Sequence, residues 1–152
     1  MQGIKFRYAK MSDFRSLLRE SEAEWPGWWE KNYKFGIKYT KDRITGKRAI
    51  VAVSGRRIIG FLMFGSIWSR HTHIEDLYVQ CKYRRMGVAS GLLEKLIEIS
   101  RKTGIRKIVA ECDPSDKPVH KLNVKNGFRR AGYIKRLWGD TDAIVFTKDL
   151  RG

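Results

Sequence analysis

Ile74-Glu75-Asp76-Leu77-Tyr78-Val79-Gln80-Cys81-Lys82-Tyr83-Arg84-Arg85-Met86-Gly87-Val88-Ala89 decides how the rest of the chain is read. A strand empties through a short basic loop with one glycine into Ser90-Gly91-Leu92-Leu93, the opening of an amphipathic helix. Such a junction makes an anion site. Successive backbone N–H groups at a helix start have no partner inside the helix, and the helix dipole adds partial positive charge. Gly87 and Ala89 keep side chains away from the backbone, while Arg84 and Arg85 offer charge-assisted hydrogen bonds. The first expectation is a phosphate-bearing cofactor at the N-terminus of the helix that starts near Val88.

Working outward, 152 residues suit a single domain, 1–152, with an ordinary core. The net charge of +16 is large for this size and favours polyanionic or phosphorylated partners. The longest apolar run, Ile58 to Trp68, is interrupted by Gly60, Gly65 and Ser66 and reads as a strand, so no membrane contact is expected. Met1 to Lys10 lacks the apolar core of a signal peptide. Cys81 and Cys112 fit a reducing compartment better than a disulfide framework, and a cytoplasmic location is the expectation.

Ile4 to Tyr8 alternates as a strand does, and Ser12 or Asp13 can cap a helix that runs toward Glu24. Trp25-Pro26-Gly27-Trp28-Trp29 interrupts, a second helix is expected from Trp29 to Tyr39, and Asp42 to Lys47 reads as a polar connection. Arg48 to Ser54 and Ile58 to Trp68 form a hairpin around Gly55-Arg56-Arg57, and Ser69 to Thr72 turns the chain into a strand from about His73. The helix from Val88 buries Leu92, Leu93, Leu96, Ile97 and Ile99 and stops at Gly104. Ile105 to Cys112 is a strand, Pro114-Ser115-Asp116 starts a helix ending at Asn126-Gly127, and Phe128 to Leu137 pairs with Asp142 to Lys148. The order β-α-α-β-β-β-α-β-α-β-β describes an α/β (α+β) domain with a mixed sheet.

Arg84-x-x-Gly87-x-Ala89 after Leu77-Tyr78-Val79 resembles the acetyl-CoA pyrophosphate loop of the GNAT superfamily of N-acetyltransferases. Glu111-x-x-x-Ser115-Asp116-x-x-Val119-x-x-Leu122-Asn123-x-x-x-Gly127-Phe128 resembles the family's following strand-to-helix segment. The similarity is greatest to the amino-terminal (N-alpha) and ribosomal-protein alanine acetyltransferases, whose subgroup Trp29-Glu30-Lys31-Asn32-Tyr33 and Asp142-Ala143 also resemble. The resemblance implies acetyl-CoA as cosubstrate, lying between a fourth and fifth strand that splay apart, with no metal. It implies that the Leu77 to Val79 backbone pairs with the pantetheine arm and that N–H groups of Arg84, Arg85, Met86, Gly87, Val88, Ala89 and Ser90 cradle the pyrophosphate. The acceptor amine would attack the thioester directly.

At the two positions where the family places a base, this chain has His73 and Glu111. Both are titratable types; the plainer readings are an exposed strand-end histidine and a carboxylate paired to a nearby Lys or Arg. Glu75 and Asp76 stand in reserve. Where many members carry a tyrosine that protonates the leaving thiolate, Asn123 offers a hydrogen bond but no proton; Tyr133 or Tyr78 are possible substitutes.

The acidic, tryptophan-rich stretch with Trp25, Trp28, Trp29 and Glu30 would border the acceptor groove, with Trp138 from the last hairpin opposite; the plainer reading is core tryptophans and a solvated acidic face. The expected acceptor is a protein or peptide amine, α-amine ahead of lysine. The rivals are a small-molecule amine acetyltransferase and an RNA- or ribosome-associated CoA-binding protein, the latter drawing on the surplus charge. Those basic residues, such as Lys31, Lys34, Arg56 and Arg101, are scattered along the chain. A monomer or homodimer fits all of these readings.

Overall fold

The computed structural model describes residues 3–151. Its strands are β1 (Ile4–Tyr8), β2 (Ala49–Ser54), β3 (Arg57–Ile67), β4 (His71–Val79), β5 (Lys107–Cys112), β6 (Arg129–Trp138) and β7 (Thr141–Asp149). Its α-helices are α1 (Phe14–Glu24), α2 (Pro26–Thr45), α3 (Val88–Lys102) and α4 (Lys117–Lys125). The strands form one mixed sheet in the order β1-β2-β3-β4-β5-β7-β6, and the expected element order holds throughout. Two compact units divide the chain: Met1–Phe64 with Asp76–Lys95, and Gly65–Glu75 with Leu96–Gly152.

In the first unit the antiparallel β1–β2–β3 ladder carries one face of Val51, Phe61 and Met63 into a core completed by Leu17 and Ile44. Two glycines permit close approaches. A Cβ on Gly91 of α3 would fall 2.1 Å from the Phe6 ring, so the helix lies tightly on β1 there. A Cβ on Gly36 would fall 2.3 Å from the Trp29 ring. Trp29 is 4% exposed and donates Nε1–H to Ser21 Oγ at 3.1 Å, so its ring has little room to give. Gly36→Ala gains about 1 kcal/mol of helix propensity against overpacking of about 1–3 kcal/mol. A net loss of stability is expected, read as a lower urea midpoint.

Three readings differ from expectation. The residues read as a polar connection continue α2 to Thr45: Ile44 is 5% exposed, Lys38 pairs with Asp42 at 2.7 Å, and Gly46 N–H closes on Asp42 C=O. The turn before β4 is shorter than expected, because His71 and Thr72 already pair with Lys107 and Ile108. Trp68 makes that turn at φ +53°. Asp13 does not cap α1; its carboxylate takes Arg7 at 2.7 Å and the Lys10 N–H at 2.8 Å.

In the second unit β4 and β5 run parallel from His71↔Lys107 to Ile74↔Ala110, and β7 pairs antiparallel with β5 and with β6. The described β4–β5 ladder ends at Ile74 and Ala110, although the strands run on to Val79 and Cys112. Asp116 caps α4, accepting from Val119 N–H at 3.2 Å, as its position suggested. Cys81 and Cys112 are free thiols.

Candidate functional site

The loop that opened the sequence reading is a built helix entrance. After a 3-10 turn at Cys81–Tyr83, Arg84 is extended, and Arg85 and Gly87 take left-handed φ values of +61° and +81°. Left-handed turns just ahead of a helix start turn the backbone sharply, and the unpaired N–H groups of the helix's first turn suit a bound anion. The helix's own ladder begins with Gly91 N–H on Gly87 C=O at 2.9 Å, so the Val88 and Ala89 N–H groups lie ahead of it. Val88 is buried at 1% and anchors the first turn, while Met86 is 51% exposed.

The Arg84 side chain behaves differently from the reading that aimed it at a phosphate. Its Nε donates to Val79 C=O at 2.8 Å, its guanidinium lies 3.8 Å from Glu24, and it sits 6.0 Å from the Tyr78 ring centre. It braces the strand-to-loop corner. Arg85 is exposed, and its charge stands beside the left-handed turn.

In the second unit the fold brings together two residues that are 38 positions apart in the chain. His73 sits opposite Val109 in the parallel β4–β5 register, so Glu111, two residues further along β5, projects from the same face. His73 Nε2 and Glu111 Oε2 share a short hydrogen bond, with side-chain exposures of 27% and 15%. The bond to Glu111 is the largest influence on His73 and holds its pKa above the usual histidine value; burial opposes the rise, and the Glu111 and Glu75 charges add to it. The pair shares a hydrogen bond in a half-buried setting, an arrangement able to take up or release a proton. Glu111 therefore has a histidine partner, not the Lys or Arg of the plainer reading.

Asn123 is 3% exposed, and its Nδ2 has no hydrogen-bond partner among the described residues. An orphaned buried donor is costly, and native proteins normally supply its acceptor. A cofactor carbonyl would do so. The orphaned amide of Asn123 thus suits a cofactor acceptor, and the helix start in the first unit, taken by itself, suits a phosphate. Tyr133 hydroxyl bonds Asp142, and Tyr78 packs 5.5 Å from Phe61, its pKa raised by burial first and then by Glu20 and Glu24. Burial pushes the Cys112 thiol up to about 11, with help from Asp116, Asp113 and Glu111, so it is neutral at physiological pH and a poor nucleophile.

The tryptophan stretch splits. Trp29 is core, as the plainer reading had it, but Trp25 and Trp28 are 56% and 42% exposed. They line a hollow of about 260 Å³ with Trp29, Phe35 and Tyr39; Ser21 and Asp76 add its polar atoms. Glu30 faces elsewhere, onto a shallower hollow of about 400 Å³ with Glu22, Pro26 and Tyr33. Trp138 is exposed at the end of β6. Sequence reasoning passed over Phe35 and Tyr39, although Trp28, Phe35 and Tyr39 recur at helical spacing. Among the described residues, no group of three or more His, Cys, Asp or Glu side chains is placed to hold a metal ion, and no helix is long and apolar enough to cross a membrane.

Residues 13–128 match the acetyltransferase (GNAT) family. A thialysine N-epsilon-acetyltransferase of Caenorhabditis elegans is 36% identical over 62 residues, covering 38% of this chain and 39% of that protein. The chain spans less than half the length of the curated relatives it matches. A ribosomal-protein-alanine N-acetyltransferase of Brucella melitensis has a similar structure, with TM-score 0.80 at 18% identity over 95% of this chain and 99% of that one. An acetyltransferase of Bacillus anthracis solved with acetyl coenzyme A matches at TM-score 0.63 and 24% identity, over 66% of this chain and 62% of that one.

Proposed function

Since the chain belongs to the acetyltransferase (GNAT) family, we propose that it moves an acetyl group from acetyl-CoA to a primary amine, foremost the N-terminal α-amine of a protein or peptide. The observation that carries the reading is the His73–Glu111 hydrogen bond, which joins two titratable groups able to take up the amine's proton.

Bound acetyl-CoA would supply the thioester: the amine nitrogen forms the new bond to the carbonyl carbon, the C–S bond breaks, and CoA leaves as a thiolate that takes a proton from solvent water. The chain's own residues do the rest. N–H groups of residues 85–90 would hold the pyrophosphate at the start of α3, and the β4 backbone from Leu77 to Val79 would hold the pantetheine arm. Asn123 Nδ2 would donate to an acceptor atom of the cofactor. The His73–Glu111 pair takes the proton that the amine must lose, directly or through a water. No side-chain acyl intermediate is needed, in keeping with the neutral, buried Cys112 thiol.

The acceptor preference follows from protonation cost. A lysine ammonium with pKa about 10.4 requires roughly 4 kcal/mol to deprotonate at pH 7, an α-ammonium near 8 only about 1.4 kcal/mol. A half-buried relay resting on one histidine suits the smaller demand. Similarity of fold to a ribosomal-protein-alanine N-acetyltransferase supports the same ordering, and the +16 charge suits work close to the ribosome in the cytoplasm.

The similarity to a thialysine N-epsilon-acetyltransferase favours a second reading, a small amine as acceptor. Labelled acetyl-CoA with a panel of peptides, lysine analogues and polyamines separates the two. Transfer to peptide α-amines is expected to dominate, with blocked N-termini inert; transfer confined to polyamines or free amino acids would overturn the peptide reading.

A further inference from the structure

We infer that the end of the second unit where β4 and β5 begin is a docking surface for single-stranded RNA. The inference goes beyond acetyl transfer and borrows from the proposed function only the cytoplasmic setting, where RNA is the abundant single strand.

Backbone hydrogen bonds tie three distant stretches of chain together there. Arg106 N–H donates to Arg70 C=O at 2.9 Å, Leu150 N–H to Arg106 C=O at 2.8 Å, and Ile105 N–H to Ser100 C=O at 2.9 Å. The β3–β4 turn, the link from α3 to β5 and the end of β7 thereby meet. Basic residues that look scattered in the sequence gather on them: Arg70, Arg101, Lys102, Arg106, Lys107 and Arg151. Glu98 pairs with Lys102 at 2.6 Å, and Asp149 lies 3.7 Å from Lys107 and 3.5 Å from Arg151. Among the described residues, Arg70, Arg101 and Arg106 have no ion pair, and all three are exposed.

Trp68 stands in the same turn as Arg70. At 80% exposed, it is the most wetted large apolar side chain among the described residues. Its φ of +53° is a left-handed conformation that a bulky residue rarely adopts. The His71 ring stands nearly perpendicular to the indole, centroids 5.8 Å apart, and steadies it while most of its surface stays in water.

These features select the occupant. Guanidiniums bind phosphate oxygens in pairs, and an indole beside them offers its face to a base. An unpaired strand has both, a charged backbone and free base faces. A duplex hides its base faces and leaves Trp68 without a partner. An anionic membrane would call for an apolar patch, yet Trp68 is the one exposed large apolar side chain among the described residues of these stretches, Ile67 and Ile105 being half-buried. A second copy of the chain would set guanidinium against guanidinium.

The intact protein is titrated into a labelled single-stranded RNA of about twelve nucleotides, a length within reach of one small domain, and followed by anisotropy. Polyphosphate of matching charge, an RNA duplex and phosphatidylserine vesicles run in parallel. The single strand is expected to bind about tenfold more tightly than polyphosphate or duplex. Trp68→Ala should weaken it about tenfold without changing its salt dependence, and Trp68→Phe should keep most of the affinity. Arg70→Gln combined with Arg106→Gln should flatten the slope of log affinity against log salt by about 1.4, twice the 0.7 or so per phosphate contact of a single strand. Removing the same charge from α2, by Lys31→Gln with Lys34→Gln, should flatten it much less. All these positions are exposed, so melting temperatures should hold within a few degrees. Equal binding of polyphosphate, a preference for duplex or vesicles, or RNA binding indifferent to Trp68→Ala and to the arginine pair overturns the surface. The expected RNA pattern in a protein that acetylates no amine would sink the acetyl-transfer reading and leave the surface standing; transfer without RNA binding does the reverse.

Discussion

Glu111→Gln is expected to lower turnover by roughly 10²- to 10⁴-fold, the usual share of a general base, while CoA binds as before. The hydrogen bond to the carboxylate lifts the imidazole above its ordinary pKa. Below that raised value the pair is an imidazolium–carboxylate and has no room for the substrate's proton; above it the pair accepts one. The rate should therefore rise with pH through a limb lying above 6.5. In the amide variant the limb moves down toward the free histidine value, on a much lower plateau. His73→Gln should abolish the limb's histidine component altogether. A structural role alone would lower the melting temperature without moving the limb, and unchanged turnover in Glu111→Gln would remove the pair from the mechanism.

The same pair makes a stability prediction of fixed sign. A histidine whose folded pKa is raised contributes stability that is full below its unfolded pKa of about 6.5 and is lost as pH climbs through the folded value. The gap in melting temperature between the native protein and His73→Gln should be wider at about pH 5.5 than at about pH 8.5.

How much of this could be read from the chain depended on whether the cause was local. The helix entrance was legible because glycine, charge and apolar periodicity fall within twenty consecutive residues. The Asp116 cap was legible for the same reason. His73 and Glu111 were named as candidates through family resemblance, but their hydrogen bond was not readable: it exists because the β4–β5 register sets His73 against Val109. The tail of α2 was missed because Ile44 is recruited to a core that local polarity does not advertise. Arg84 was assigned to a ligand, whereas the corner after β4 turns its guanidinium back to Val79 and Glu24. The aromatic hollow was partly hidden by the irregular backbone at Asn32, φ −126°, which interrupts α2 between Trp28 and Phe35. A reader who continues the helical face across that irregularity finds Trp28, Phe35 and Tyr39 together.

Gly87→Glu is expected to abolish measurable CoA binding, a loss of at least a hundredfold by calorimetry. Gly87 sits at φ +81°, where a side-chain-bearing residue is strained by roughly 1–2 kcal/mol. That alone would cost about tenfold if the loop relaxed into another shape. The added carboxylate would also stand beside N–H groups proposed to receive a pyrophosphate, and repulsion between anions in a partly desolvated site supplies the remainder. Gly87→Ala separates the two effects, since it adds the strain without the charge and should lose only about tenfold. The loop is exposed and lies ahead of the α3 ladder, so melting temperatures should change by only a few degrees in both variants. Full CoA affinity in Gly87→Glu would move the pyrophosphate away from this helix start and undo the cofactor placement, whereas the His73–Glu111 relay, built on β4 and β5, would still need its own test.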